Sequence, residues 1–370
     1  MGPTIAQINH AHLIHNLQLI KQAVHPAGVM AVVKANAYGH GSVEVARTAL
    51  ANGATWLGVA FPEEGIELRK AGITAPILVF GAQLPPFFEH YLRFDLDLTL
   101  SARMQIEPLK DLCRRMNKKA RVQIKVDTGM GRVGFLLEKD RDALLQILNE
   151  PAFEVTGVYS HLSSADEDDL GYTFEQVERF KAVREFVLKH SSTKPLFHLA
   201  NSAAIMRVPQ AYFDLVRPGV MLYGNPPGPD FDLQWDLKEV MRFVSRVAAV
   251  KELDANHPVS YNRRYYTSAK TKIAIIPAGY ADGYNRRMTN TGQVLIRGKR
   301  YRIAGTVCMD QMMVDLGPDT DVRPGDEVVL FGPQGSDHVR IVEVARTLST
   351  IPYEITCWVS ARVPRIHINT

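Results

Sequence analysis

VMAVVKANAYGHG, residues 29–41, opens with an apolar run of strand type that ends on Lys34, and within seven further residues come a tyrosine, two glycines and a histidine. A solvated lysine at a strand terminus is the plain account of such a cation. Its neighbours argue for more, because Tyr38 brings an aromatic hydroxyl and Gly39 and Gly41 permit a tight turn or a close approach of backbone to ligand. The run is also the first of a series. WLGVAF (56–61), PILVF (76–80), LDLTL (96–100), RVQIKV (121–126), EVTGVYSHL (154–162), PLFHLA (195–200) and FDLVRP (213–218) repeat the strand texture, with amphipathic stretches between them. In one of those stretches, PEEGIELRKAG, Pro62 suits the first helical position, Glu63 and Glu64 suit the positive helix end, and Gly72 suits the stop. Eight such β/α units predict a (β/α)8 barrel of the TIM type over residues 1–237, rather than an open doubly wound sheet. After NPPGPDF (225–231) the texture changes to β-rich segments such as RFVSRVAAVKEL, KIAIIPAGY, QVLIRG and DEVVLFG, separated by turn signals. Residues 238–370 therefore read as a second, mostly β domain.

Composition bounds the function. The 370 residues are 46% hydrophobic, enough for two real cores. The formal charge of +4 is a small excess of 43 basic over 39 acidic residues without a long basic block, so neither nucleic acid nor a membrane surface is the expected partner. A small-molecule substrate fits better. Three widely spaced cysteines, Cys113, Cys308 and Cys357, argue against a disulfide framework and for a reducing compartment. No signal-peptide pattern opens the chain and no apolar stretch reaches spanning length, so the expected location is the cytoplasm. No metal is expected either. His10, His12 and His15 have no cysteine or carboxylate close by, and ADEDDLG (165–171) begins like a calcium loop but places Val177 where the bidentate Glu belongs.

In a barrel of this type the C-terminal ends of the strands surround one mouth, where chemistry is built. Lys34 ends the first run, Arg132 lies just past the fifth, His161 closes the sixth, Asn201 and Ser202 follow the seventh, and Arg217 and Gly219 follow the eighth. Singly, each has a plainer reading: a core imidazole, a helix cap, a structural ion pair. Their common phase at strand ends is hard to obtain by chance. A lysine in a partly desolvated mouth is neutral enough to condense with an aldehyde cofactor, and the aldehyde to expect is pyridoxal 5′-phosphate. Ser202, the Gly219–Val220 backbone and Tyr38 are candidates for its phosphate. Arg217 is a candidate for its ring nitrogen, because a guanidinium hardly surrenders its proton.

One motif competes. VDTGMGRVG contains the G-x-G-x-x-G of a dinucleotide-binding turn, Gly129, Gly131 and Gly134, which would make the chain a nicotinamide-dependent oxidoreductase. Against it, the preceding strand carries Lys125 and Asp127 where apolar residues belong, and it is the fifth strand rather than the first.

Nine segments, AVVKANAYGHG, VDTGMGRVGF, YSHLSSAD, HLANSAA, VRPGVMLYG, VSYNRRY, GYADGY, GTVCMDQMMVDL and IPYE, resemble in order the motifs of the alanine racemase family. The resemblance implies a barrel carrying pyridoxal phosphate, a C-terminal β domain, and a head-to-tail homodimer in which each site borrows residues from the partner's β domain. It implies racemisation of L- and D-alanine for cell-wall peptidoglycan, with a serine or broad-specificity amino-acid racemase of the same family as the alternative. By motif position Lys34 resembles the lysine that carries the cofactor, and Tyr261 the second acid/base. Tyr38, His161, Asn201, Ser202, Arg217, Gly219, Val220 and Tyr353 resemble the cofactor shell, and Arg132 and Met309 the substrate-carboxylate contacts. Lys125 resembles a lysine carbamylated in some members, and Tyr280 with Tyr353 the residues that narrow the entrance. One departure stands out: Asn262-Arg263-Arg264 follow Tyr261 where the family commonly has glycine first. Asparagine tolerates the left-handed conformation best after glycine, so the turn can survive.

Overall fold

Each of the eight runs forms a strand in the computed structural model, which describes residues 2–369. They are β1 (Gly28–Val32), β2 (Trp56–Val59), β3 (Ile77–Val79), β4 (Asp97–Leu100), β5 (Ala120–Lys125), β6 (Phe153–Tyr159), β7 (Leu196–His198) and β8 (Leu215–Val216). β1 to β7 pair in parallel in chain order, and β8 pairs in parallel with β1. Between β7 and β8 the ring is drawn together by the Asp214 N–H on Phe197 O at 2.9 Å and the Arg217 N–H on Ala200 O at 3.0 Å. The strands read as near-continuous apolar runs because both faces are covered, the inner by side chains of the barrel and the outer by helices. Val29, Met30, Ala31, Leu57, Leu78, Leu98 and Ile124 are all buried accordingly.

Most of the strands are shorter than the runs that announced them, and this moves two candidate residues. Lys34 stands two residues beyond β1 and His161 two residues beyond β6, rather than ending those strands. The cause at Lys34 is local. Ala35, Asn36 and Ala37 all adopt left-handed helical angles near φ 53° and ψ 50°, and Tyr38 follows at φ 53°, a conformation no parallel ladder accepts.

By compactness the chain divides into two units. One holds Ile14–Ala37 and Ser42–Leu222 and contains the barrel; the other takes in the remaining described residues. The second unit is built on a large, mostly antiparallel sheet whose central strands are Gln293–Ile296, Lys299–Ile303, Met312–Gly317 and Glu327–Gln334. The sheet also recruits the N-terminal strand Ile5–Asn9, which runs antiparallel to Met241–Arg246 and parallel to Arg365–Ile368. A separate short hairpin, Pro258–Val259 with Tyr265–Tyr266, carries the turn that holds Tyr261.

Candidate active site

Within the barrel unit the left-handed turn sets the direction of Lys34. Each non-glycine residue there costs roughly 1–2 kcal/mol relative to the right-handed form, so the turn persists only under outside constraint. Glu64 supplies much of it: one carboxylate oxygen accepts the Ala35 N–H at 2.6 Å, and the other accepts the Ala60 and Phe61 N–H groups at 2.7 and 3.1 Å. The Ala37 N–H reaches back to Val33 O, and the Asn36 carboxamide oxygen accepts the Ser42 N–H at 2.9 Å.

Arg217, just past β8, is buried and held at several points. Its Nη1 donates to His198 Nδ1 at 2.9 Å, and its Nη2 donates to the carbonyls of Ser160 and Leu199 at 2.7 and 2.9 Å and to His161 Nδ1 at 3.4 Å. Its Nε–H takes no partner among the described residues. Burial lowers Arg217 to about 10, so it stays protonated at neutral pH. Burial, then the charges of Arg217 and Arg132, hold His161 well below the ordinary imidazole value. His161 is therefore neutral. Since arginine has no acceptor, Nδ1 of His161 must be the acceptor and its proton sits on Nε2. Lys34 and Lys125 also bear on His161 electrostatically, which gathers the cations of the mouth around one imidazole.

Lys125, at the end of β5, is buried. Desolvation, then Arg217, depress its amine to about 7 while it donates to Val126 O at 2.8 Å. The Tyr159 ring lies beneath two cations, with Lys125 and Arg217 each 5.5 Å from its centroid. Its hydroxyl meets Thr99, and because the Thr99 hydroxyl donates to Val79 O at 2.7 Å, it is Tyr159 that donates in the 2.8 Å contact between them.

Asn201 is an N-cap in the plain sense, its Oδ1 accepting the Ala204 N–H at 3.0 Å. Ser202 does more. Its buried hydroxyl oxygen accepts the N–H groups of Gly219 at 2.9 Å and Met221 at 3.4 Å, which leaves its own proton for another acceptor. The Val220 N–H likewise takes no partner among the described residues. A hydroxyl and an amide offered side by side suit an anionic oxygen.

The glycine-rich loop after β5 is spent differently. The Asp127 carboxylate accepts the N–H groups of Gly129 and Met130, both at 2.8 Å, and of Arg132 at 3.2 Å, so this backbone caps an aspartate rather than cradling a pyrophosphate. The Asp127 N–H on Phe135 O and the Phe135 N–H on Lys125 O, both 2.9 Å, bend the loop back onto the end of β5.

In the other unit Tyr261 is 70% exposed and lines an open hollow of about 1010 Å³ together with Ser260, Tyr280, Cys308 and Met309. The Ser260 hydroxyl donates to Thr306 O at 2.6 Å and the Thr306 hydroxyl to Tyr261 O at 2.8 Å, which pins the turn. Asn262 adopts φ 63°, ψ 8°, the left-handed conformation expected of it. Tyr280 and Met309 are brought together by the Tyr280 N–H on Cys308 O at 3.1 Å and the Ala281 N–H on Met309 O at 3.0 Å. A Cβ on Gly279 would lie 2.3 Å from Cys308 O, so only glycine allows that approach. In the same unit Tyr38 is buried, its ring 5.9 Å from Tyr353 and 5.0 Å from Tyr223, and burial drives its phenol far above the ordinary value.

Sequence reading missed Tyr159, His198, Gln123 and Thr99, although each was legible as a polar or amphipathic residue inside an otherwise apolar strand. Among the described residues no cluster of His, Cys, Asp or Glu is arranged to hold a metal ion.

Against known proteins, residues 8–227 match the family model "Alanine racemase, N-terminal domain" and residues 240–367 match "Alanine racemase, C-terminal domain". An alanine racemase of Carboxydothermus hydrogenoformans is 44% identical over 373 residues, covering 100% of both chains. One of Halothermothrix orenii is 42% identical over 99% of this chain and 97% of its own. Among solved structures, the alanine racemase from D-cycloserine-producing Streptomyces lavendulae superposes with a TM-score of 0.94 at 36% identity, covering 100% of this chain and 98% of that one. That of Bartonella henselae, with covalently bound pyridoxal phosphate, superposes with a TM-score of 0.88 at 30% identity, covering 100% of both.

Proposed function

The chain belongs to the alanine racemase family, an isomerase that interconverts L- and D-alanine, and from that premise we propose that it works with pyridoxal 5′-phosphate as the shared site of a homodimer. The observation that carries the reading is Arg217, pinned through both terminal nitrogens with its Nε–H left open. The donor set fits the group: an amine at Lys34, a hydroxyl proton at Ser202 and an amide at Val220 for the phosphate, and a guanidinium for the pyridine nitrogen. Gly219 contributes by fixing Ser202, and Asn201, His161, Tyr38 and Tyr353 complete the shell. Once bound, the cofactor supplies an electron sink beside Cα of the amino acid.

The protein's part is to hold the group and move protons. Lys34 anchors the cofactor covalently and exchanges a proton with one face of Cα. Tyr261 of the second subunit serves the other face, since inversion needs a donor opposite the base that abstracts. Neutral His161, with its proton on Nε2, can donate to that tyrosine's oxygen. Arg217 keeps its own proton, leaving the ring nitrogen unprotonated and the sink weak enough to limit transamination. Arg132 and Met309 receive the substrate carboxylate, and Tyr280 with Tyr353 narrows the entrance. Lys125, depressed to about 7 by burial and Arg217, is the amine that takes up carbon dioxide with release of a proton; the resulting carbamate would place an anion beside Arg217 and Arg132.

Several features support the dimer. Phe61, Leu84, Phe87 and Met104 are exposed on the segments that follow the barrel strands, and Tyr261 and Met309 are exposed on the other unit. In this reading residues 1–237 are the cofactor-binding barrel, and residues 238–370 lend Tyr261 and Met309 to the partner subunit. The enzyme acts in the cytoplasm to supply D-alanine for peptidoglycan. Among the described residues no helix is long and apolar enough to cross a membrane.

The test is incubation of the purified protein with L-alanine in deuterium oxide, followed by chiral chromatography and mass spectrometry. D-alanine deuterated at Cα, from a protein with a visible cofactor band that borohydride shifts, is expected. D-alanine without deuterium, or no D-alanine at all, refutes the mechanism.

A further inference from the structure

Behind Arg217 lies a hydrogen-bonded row that the mechanism above does not use. His198, the last residue of β7, accepts from Arg217 Nη1 at Nδ1, and its other nitrogen, Nε2, lies 2.7 Å from the carboxamide oxygen of Gln123 on β5. All three side chains are buried. The protons in this row follow from chemistry alone. Arginine can only donate, so Nδ1 of His198 is bare. Burial, together with the charges of Arg217 and Lys125, keeps the imidazole neutral, so its single proton is on Nε2. That proton needs an acceptor, which fixes the Gln123 amide with its oxygen toward His198. The amide nitrogen is left buried with no partner among the described residues, so the orientation of the amide is set by His198 and not by its own donors.

Local structure serves the same end. The β5–β6 register shifts between Val122 and Gln123, and Gly157 sits opposite, where a Cβ would come within 2.9 Å of the Gln123 carboxamide. The His198 ring is further held by parallel stacking on Tyr159, with centroids 4.9 Å apart and planes at 8°.

We propose that Gln123 is a positioning residue: by accepting the Nε2 proton of His198 it selects the one tautomer that can receive Arg217, and thereby aims the open Nε–H of that arginine. The other tautomer would point an N–H at the Arg217 N–H and push the guanidinium aside. The consequence for catalysis rests on the reading that Arg217 faces the cofactor ring; the tautomer does not.

The test compares wild-type holoenzyme with Gln123→Leu and Gln123→Glu, using 15N-histidine NMR with His198→Gln to assign the signal, and steady-state kinetics with alanine. Expected are a His198 protonated at Nε2 and bare at Nδ1 in the wild type, and loss of that pattern in Gln123→Leu. The leucine variant should lose about tenfold to a hundredfold in kcat with KM little changed, the range seen when an outer partner of a functional group is removed. Gln123→Glu, which keeps shape and acceptor, should restore the pattern and most of kcat. A proton on Nδ1 or an imidazolium in the wild type overturns the proposal. So does an unchanged kcat in the leucine variant, or a glutamate variant as impaired as the leucine one. If the wild type fails to racemise alanine while His198 shows the Nε2 proton, the functional reading fails and the tautomer assignment stands.

Discussion

Replacing Lys125 with methionine tests the electrostatics of the barrel mouth directly. Burial and the neighbouring Arg217 depress this amine from 10.5 to about 7. At ~1.4 kcal/mol per unit the depression is worth about 5 kcal/mol, a ceiling because the ammonium keeps its bond to Val126 O and its place over Tyr159. The sign follows from where the proton sits. The unfolded lysine stays protonated up to 10.5, whereas the folded one releases its proton above about 7, so between those values the unfolded state binds more protons and stability rises with pH. Below about 7 the whole cost is present; above 10.5 it is gone. Methionine has no such cost. In buffers free of carbon dioxide, Lys125→Met should therefore melt above the wild type at pH 6.5, on the order of 5 °C or more, and the gap should narrow steadily toward pH 9.5. Bicarbonate at pH 8 should raise the wild-type melting temperature and leave the variant unmoved, because only the amine can take up carbon dioxide. A gap that stays constant from pH 6.5 to 9.5 would show that Lys125 titrates as an exposed lysine does, and the account of a desolvated mouth would be wrong.

Three further outcomes can be measured. Lys34→Ala should lose both the visible cofactor band and alanine racemisation, since one amine serves both; a normal band in the variant rules out Lys34 as the anchor. Lys34→Ala and Tyr261→Phe homodimers should each be inactive, by several orders of magnitude for the tyrosine variant, while mixed dimers regain one intact site; mixed dimers as inactive as their parents would place Tyr261 in its own subunit's chemistry. Gly39→Ala should destabilise by several kcal/mol, because its φ is +85° and the added Cβ would lie 2.2 Å from Thr356 O. Thermal melting checks that, and a shift of under about 1 °C counts against the left-handed turn and its tight packing.

What the sequence determined by itself was the alternation that makes a barrel and the phase of its polar residues. Apolar runs at a strand-helix rhythm admit few architectures, and a (β/α)8 barrel converts scattered positions such as Lys34, His161 and Arg217 into neighbours at one mouth. Tertiary structure decided the rest. VMAVVK reads as strand through Lys34, yet the ladder stops at Val32, where Glu64 from the next β/α repeat binds the Ala35 N–H at the head of a left-handed turn that local propensity would never choose. The glycines of VDTGMGRVG spell a phosphate-binding turn, and only the folded loop shows their N–H groups committed to Asp127. Ile5–Asn9 is an unremarkable five-residue pattern until Met241–Arg246 and Arg365–Ile368 flank it from more than 230 residues away. Gln123 is a single polar residue in an apolar strand, and its meaning depends on a histidine 75 positions on and an arginine beyond that. Periodicity is local and can be read along the chain; the state of a proton depends on which donors and acceptors the fold brings within 3 Å, and that is written only in three dimensions.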